Sequence, residues 1–286
     1  MPEPAPRARL KLRRPPPPRE WPWAKWLIVG TVLGYLGVLV LWPLLAVLRG
    51  AFAEGLGPFA MVFTDPVVLR AFGLTVGIAL IAVTVNGVFG LIIAWVLVRD
   101  SFPGRALLNG VIDLPFVVSP VIVGYMVLLL FGRDGWLTPL ANALGTRVAF
   151  ALPGMVLATV FVTLPFVTRE LMPVLREIGT EGEDAAGTLG AGGWTVFRRI
   201  TLPGVRWGLA YGLVLTLARA LGEFGAVLVA GGAVTGRTET ATLFIYRSLD
   251  ERHYTEAYAA AVTLGAVSFA ILFGMELVRR RRDASR

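Results

Sequence analysis

Arg219 and Glu223 are the two charged residues in an otherwise apolar stretch running from about Trp207 to Ala233. Four residues apart, they share one face of a helix, and each would be costly at membrane depth without a partner. Two roles fit the pair. In the preferred one it locks its helix into a bundle and fixes packing between subunits. In the other, Arg219 offers positive potential to an anionic ligand and Glu223 tunes it. Gly222 and Gly225 flank the acid and let a neighbouring helix or the anion approach closely.

Other chemistry is sparse. The chain has no cysteine, which excludes disulfides, thiolate metal sites and cysteine nucleophiles. The lone histidine, His253, falls in a polar connection and reads as a solvated loop residue. The only lysines, Lys11 and Lys25, do not follow a glycine as a phosphate-cradling loop requires, so any ATP must be hydrolysed by another chain. No catalytic constellation remains, and no metal or cofactor site of the chain's own is expected.

The elements that must carry these residues are membrane helices. Of 286 residues, 56% are hydrophobic and 16% charged, too apolar for a soluble domain around one core. Residues 1–25 form a proline-rich basic tail, expected to be disordered. Uncharged runs, the last of them 257–275, then predict spans over about 26–48, 72–98, 114–132, 148–168 and 257–278. The stretch 207–233 with Arg219 and Glu223 makes the sixth, and a short basic tail, 279–286, follows. The formal net charge is +8. Its position matters more than its size: nineteen Lys and Arg fall on the side of the two termini and seven on the other. The positive-inside rule therefore puts both termini in the cytoplasm, and the basic tails read as a topology signal rather than as nucleic-acid binding. Pro115, Pro120 and Pro165 interrupt spans, either as packing kinks or as breaks lining a transport path.

The longest connection, about 175–205, is cytoplasmic in this topology. Thr180 and Glu183 have the spacing of a capping box that opens a short helix. Ala185, Ala186 and Leu189 give that helix a narrow apolar face, and Gly190 suits the left-handed turn that ends it. Trp194, Phe197 and Ile200 mark one face of a second helix, which Pro203 is expected to close. The pair either lies on the membrane surface or docks a partner.

In this connection the chain resembles the permeases of binding-protein-dependent ABC importers, whose signature is matched by Asp184, Ala185, Ala186, Gly190, Ile200, Leu202 and Pro203, with Glu183 just before. The resemblance narrows to the sulfate and thiosulfate permeases, W-type subunit, through Phe102-Pro-Gly-Arg105, Asp113-Leu-Pro-Phe-Val-Val-Ser-Pro120, Val162-Thr-Leu-Pro-Phe-Val-Thr-Arg-Glu170, Arg206-Trp207 and Ala218-Arg-Ala-Leu-Gly-Glu-Phe-Gly-Ala226. Gly236-Arg-Thr-Glu-Thr240 is as similar to the molybdate permeases.

The resemblance implies an all-α membrane protein with six transmembrane helices, of the type I ABC importer (MetI-like) permease fold with a cytoplasmic coupling helix. Glu183, Asp184, Ala185, Ala186, Gly190, Phe197, Ile200, Leu202 and Pro203 would then couple to a separate ATPase dimer, which uses ATP and Mg. A second, T-type permease, an external sulfate-binding protein and the lipid of a bacterial cytoplasmic membrane complete the implied partners. The chain would pass sulfate or thiosulfate inward by alternating access, or molybdate as the alternative. A secondary anion transporter would show inverted repeats and a channel a filter-like loop; the sequence displays neither convincingly.

Overall fold

The computed structural model describes residues 22–283, and every regular element among them is helical. The tail expected over 1–25 lies outside the described residues except for Pro22–Lys25, which are helical, as do residues 284–286. The chain divides after Ala46 into two units. The described part of the first is helix α1 (Pro22–Leu36), a wider π turn over Gly37–Leu41, and the start of α2 (Trp42–Ala51). Its large apolar side chains point outward on all sides, Trp26 and Trp42 included, as befits a helix whose solvent is lipid.

The second unit is built on three long helices. α3 (Leu56–Val62) leads into α4 (Pro66–Arg99), which packs against both α8 (Leu152–Ile178) and α11 (Leu202–Leu221), while α8 and α11 also pack on each other. Leu91, Ala94 and Leu97 of α4 meet Val167, Leu171 and Leu175 of α8 and Val205 of α11 in the main apolar cluster. Asn86, fully buried on α4, donates to the Val160 carbonyl at 3.0 Å and to the Thr163 hydroxyl at 2.8 Å, a use of an amide that only a close polar partner makes tolerable in an apolar bundle.

α4 begins six residues earlier than the uncharged run. The Asp65 carboxylate caps it by accepting from Val67 N at 2.7 Å, and Arg70 is accommodated because its Nη1 reaches the Gly236 carbonyl at 2.8 Å. α8 likewise runs past the expected end at 168. Arg169 therefore lies on a helix rather than in a connection.

Two expected spans are broken. The stretch expected as one helix over 114–132 is α5 (Arg105–Val117) and α6 (Pro120–Phe131), bent by 112°. The break follows from Pro120: a residue before proline is pushed out of the helical region, and Val118 and Ser119 are extended, with ψ of 129° and 136°. Pro115 and Pro165, by contrast, sit inside their helices. The short α7 (Thr138–Ala143) follows α6.

The stretch 207–233 is also split. α11 ends at Leu221, and after Gly222, Glu223 and Phe224 the chain resumes as α12 (Gly225–Gly231), which packs on α6. The two short segments meet at glycine: a Cβ on Gly124 would lie 2.6 Å from the Ala226 carbonyl oxygen, and one on Gly225 2.9 Å from Val121 Cγ2. α13 (Ala241–Asp250) and α14 (Tyr254–Asp283) complete the unit. Five helices are long and apolar enough to cross a membrane, or six crossings if the bent α5–α6 pair counts as one.

Candidate functional site

Between α8 and α11, within the connection expected over 175–205, the chain forms a short helical knob. α9 (Glu181–Thr188) carries Glu183, Asp184, Ala185 and Ala186; Asp184 and Ala185 are exposed and Ala186 is half-buried. Gly190 has φ of +85°, a conformation that costs a side chain energy and costs glycine little, and it reverses the chain after α9. α10 (Gly193–Val196) follows, with Trp194 72% exposed.

The expected capping box does not form. The Thr180 side chain makes no cap, and the Glu183 carboxylate is drawn to a longer-range partner instead. Arg99, at the end of α4, donates from Nη2 to Glu183 Oε1 at 3.2 Å, and the Thr201 hydroxyl donates to the same oxygen at 2.8 Å. A guanidinium and a hydroxyl together outcompete one backbone N–H for a carboxylate.

Pro203 does not close the second helix either. It stands in the first turn of α11, and the helix runs unbroken from Gly193 to Leu221 through a wider π turn at Phe197–Thr201. Proline has no N–H to offer the fourth preceding carbonyl, so it fits where the helical register changes. Within that turn Phe197 stacks on Trp194 (5.6 Å between centroids) and leans on Trp95 of α4 (5.4 Å). Ile200 packs over Gly182, and Leu202 joins the main apolar cluster. The residues that the resemblance assigns to coupling thus lie close together from α9 into the first turn of α11.

Arg219 and Glu223 are paired, Nη1 to Oε2 at 2.7 Å. The acid is 2% exposed at its side chain and the arginine 33%. Glu223 Oε1 also accepts from Ala226 N at 2.9 Å, and its backbone carbonyl accepts from the Thr242 hydroxyl at 2.7 Å. The carboxylate therefore spans the break between α11 and α12. Gly225 is buried against Val121, whereas Gly222 is exposed with no foreign atom near it.

Several charged residues that the sequence gave no reason to connect are also joined. Arg169 of α8 grips Asp113 of α5 with both arms, at 2.7 and 2.5 Å, and donates to the Asn109 side chain and carbonyl at 2.9 and 3.0 Å. Both names stand in the quoted motifs, but 56 residues apart, and no local pattern links them. Beyond α12, Glu239 is buried and paired with Arg247 at 2.6 Å. That hydrogen bond is the main reason the Arg247 guanidinium holds its proton more tightly than a free arginine, with Glu251 adding attraction.

A model of the family "Binding-protein-dependent transport system inner membrane component" matches residues 86–283, more than half of the chain. The chain belongs to this family. It is 46% identical over 257 residues to the "Sulfate transport system permease protein CysW" of Synechocystis sp., covering 90% of this chain and 93% of the relative. It is 43% identical to the protein of the same name in Escherichia coli, over 91% and 90% of the two. A 35% identical relative, in Chlorokybus atmophyticus, is a "Probable sulfate transport system permease protein cysT" (91% and 89%).

In fold, the chain matches a chain of a bacterial ABC transporter involved in the import of the acidic polysaccharide alginate, with TM-score 0.74 at 20% identity over 91% of this chain and 96% of that one. It also matches the MetNI methionine transporter, with TM-score 0.56 at 18% identity over 75% and 95%. The chain is thus a multi-pass membrane component of the binding-protein-dependent transport family, with the type I ABC importer (MetI-like) permease fold.

Proposed function

We propose that this chain is the W-type permease subunit of a sulfate and thiosulfate importer in a bacterial cytoplasmic membrane. It carries the anion inward by alternating access. A separate ATPase dimer hydrolyses ATP with Mg and docks on α9; a T-type permease forms the other half of the path; an external binding protein delivers the anion. Both termini and the knob face the cytoplasm, as the excess of arginine on their side of the membrane favours. The reading of the substrate rests on the names of relatives 43–46% identical along nearly the whole chain.

The observation that carries the coupling reading is the geometry of α9. It presents Asp184 and Ala185 outward from a short helix whose other side is fixed to the long helices through Glu183. Small residues on an exposed helix allow a partner's surface to approach closely. Arg219, a third exposed and directed by a buried acid, is the cation we assign to the anion's path, beside the open Gly222.

Proteoliposomes holding the four kinds of subunit test this reading. Uptake of radiolabelled sulfate should need ATP inside and binding protein outside, and thiosulfate should compete with it. Uptake by this chain alone, driven by an ion gradient and indifferent to ATP, would instead mark a secondary transporter. Competition by molybdate at lower concentration than thiosulfate would shift the substrate to molybdate.

A further inference from the structure

Arg99 sits where four elements meet. It is the last residue of α4, and its Nη2 donates to the carbonyl of Gly179, the residue that ends α8, at 2.5 Å, as well as to Glu183 of α9. Glu183 in turn holds Thr201, 2% exposed at the foot of α11. The Arg99 and Glu183 side chains are only 12% and 15% exposed. Nε lies a further 3.2 Å from Oε2, an ion-pair distance at an angle that makes no hydrogen bond. Asp184, the very next residue, is exposed and has no side-chain partner among the described residues.

The chain's covalent path into α9 is weak by comparison. It enters through Gly179, at φ of +68°, and leaves through Gly190, Gly192 and Gly193. Glycine linkers bend at little cost, so a push on α9 would be absorbed there unless something else stiffened the joint. A planar guanidinium holding two acceptors at once, screened from solvent, is a stiff connector.

We infer that the Arg99–Glu183–Thr201 cluster is the joint that makes the knob move as one body with α4, α8 and α11, so that the two neighbouring acids divide the work. Asp184 faces the motor and Glu183 faces the chain's own helices. This rests on the importer reading above. Arg99 and Glu183 are positioning residues: they touch neither the anion nor the nucleotide, and they set how much of the motor's movement reaches the membrane helices.

The test is the number of sulfate ions imported per ATP hydrolysed, in proteoliposomes holding the complete importer. Arg99→Ala and Glu183→Gln should keep the ATPase bound and hydrolysing while that ratio falls by about tenfold, the scale of a lost coupling between sites. The chain has no native cysteine, so Arg99→Cys with Glu183→Cys gives one defined pair for a short bifunctional thiol reagent. Bridging the pair should recover most of the ratio. A merely structural role would lower import and hydrolysis together, leave the ratio unchanged, and gain nothing from the bridge; that result, or a wild-type ratio in both single variants, overturns the inference. Failure of the wild-type complex to import sulfate with ATP would strike the proposed function instead.

Discussion

Removing Arg219 should damage the protein more than removing Glu223, although the two form one pair. The reason is their unequal burial. Arg219→Ala strands a carboxylate that is 2% exposed. Breaking a buried pair from one side costs about 3–5 kcal/mol, because the remaining charge has no water to return to. Glu223→Ala strands a guanidinium that is 33% exposed and can reach polar surroundings, so its charge penalty is smaller. It also leaves Ala226 N without its acceptor, an unsatisfied donor worth about 1–3 kcal/mol.

Glu223→Gln separates the two effects. Its amide oxygen can still accept from Ala226 N while the charge is gone, so adding it to Arg219→Ala should recover most of the loss. Thermal unfolding in detergent, followed by fluorescence of the chain's tryptophans, gives the order directly. The expected midpoints fall from wild type through Arg219→Ala/Glu223→Gln and then Glu223→Ala to Arg219→Ala. If Arg219→Ala proves as stable as Glu223→Ala, or the added Glu223→Gln rescues nothing, the carboxylate is not held buried by its partner and the reasoning fails.

Other outcomes follow from the same geometry. Arg219→Lys should retain stability better than Arg219→Ala yet import sulfate more slowly; wild-type uptake in both variants would remove Arg219 from the path. Arg169→Lys should lower the unfolding midpoint by an amount matching about 1.5–3 kcal/mol, since one ammonium cannot span both Asp113 oxygens and Asn109; an unchanged midpoint would mean that the α5–α8 clasp contributes nothing. Gly124→Val should block close packing of α6 on α12 and abolish uptake in protein that still reaches the membrane, as a transport assay normalised to membrane protein would read. Gly190→Ala, at φ of +85°, should cost about 1 kcal/mol and weaken recovery of the ATPase in co-purification, with full recovery counting against a docking role.

The parts of the fold set by local forces could be read from the residues. Apolar runs located the long helices, Pro120 marked the break, and the four-residue spacing of Arg219 and Glu223 anticipated their pairing, although Glu223 lies in the break after α11 rather than on a shared helical face. What escaped was set by partners distant in sequence. Thr180 and Glu183 have a capping-box spacing, but Arg99, 84 residues away, takes the carboxylate. Arg169 falls just past the uncharged run 148–168, and nothing local shows that α8 extends beneath it or that Asp113 meets it from α5. Pro203 suggested a helix end by its lack of an N–H, yet the π turn before it absorbs the mismatch and lets α10 and α11 run as one. The split between α11 and α12 was hidden because the chain is mostly apolar on both sides of Gly222.

If α9 is the face that a cytoplasmic motor engages, a single cysteine at Ala185 reports it most directly. In membranes carrying the importer, an impermeant thiol reagent should label Ala185→Cys in inside-out vesicles only, and added ATPase subunit should protect it. Labelling from the outer face of right-side-out vesicles, or labelling in inside-out vesicles that the ATPase leaves undiminished, would contradict it.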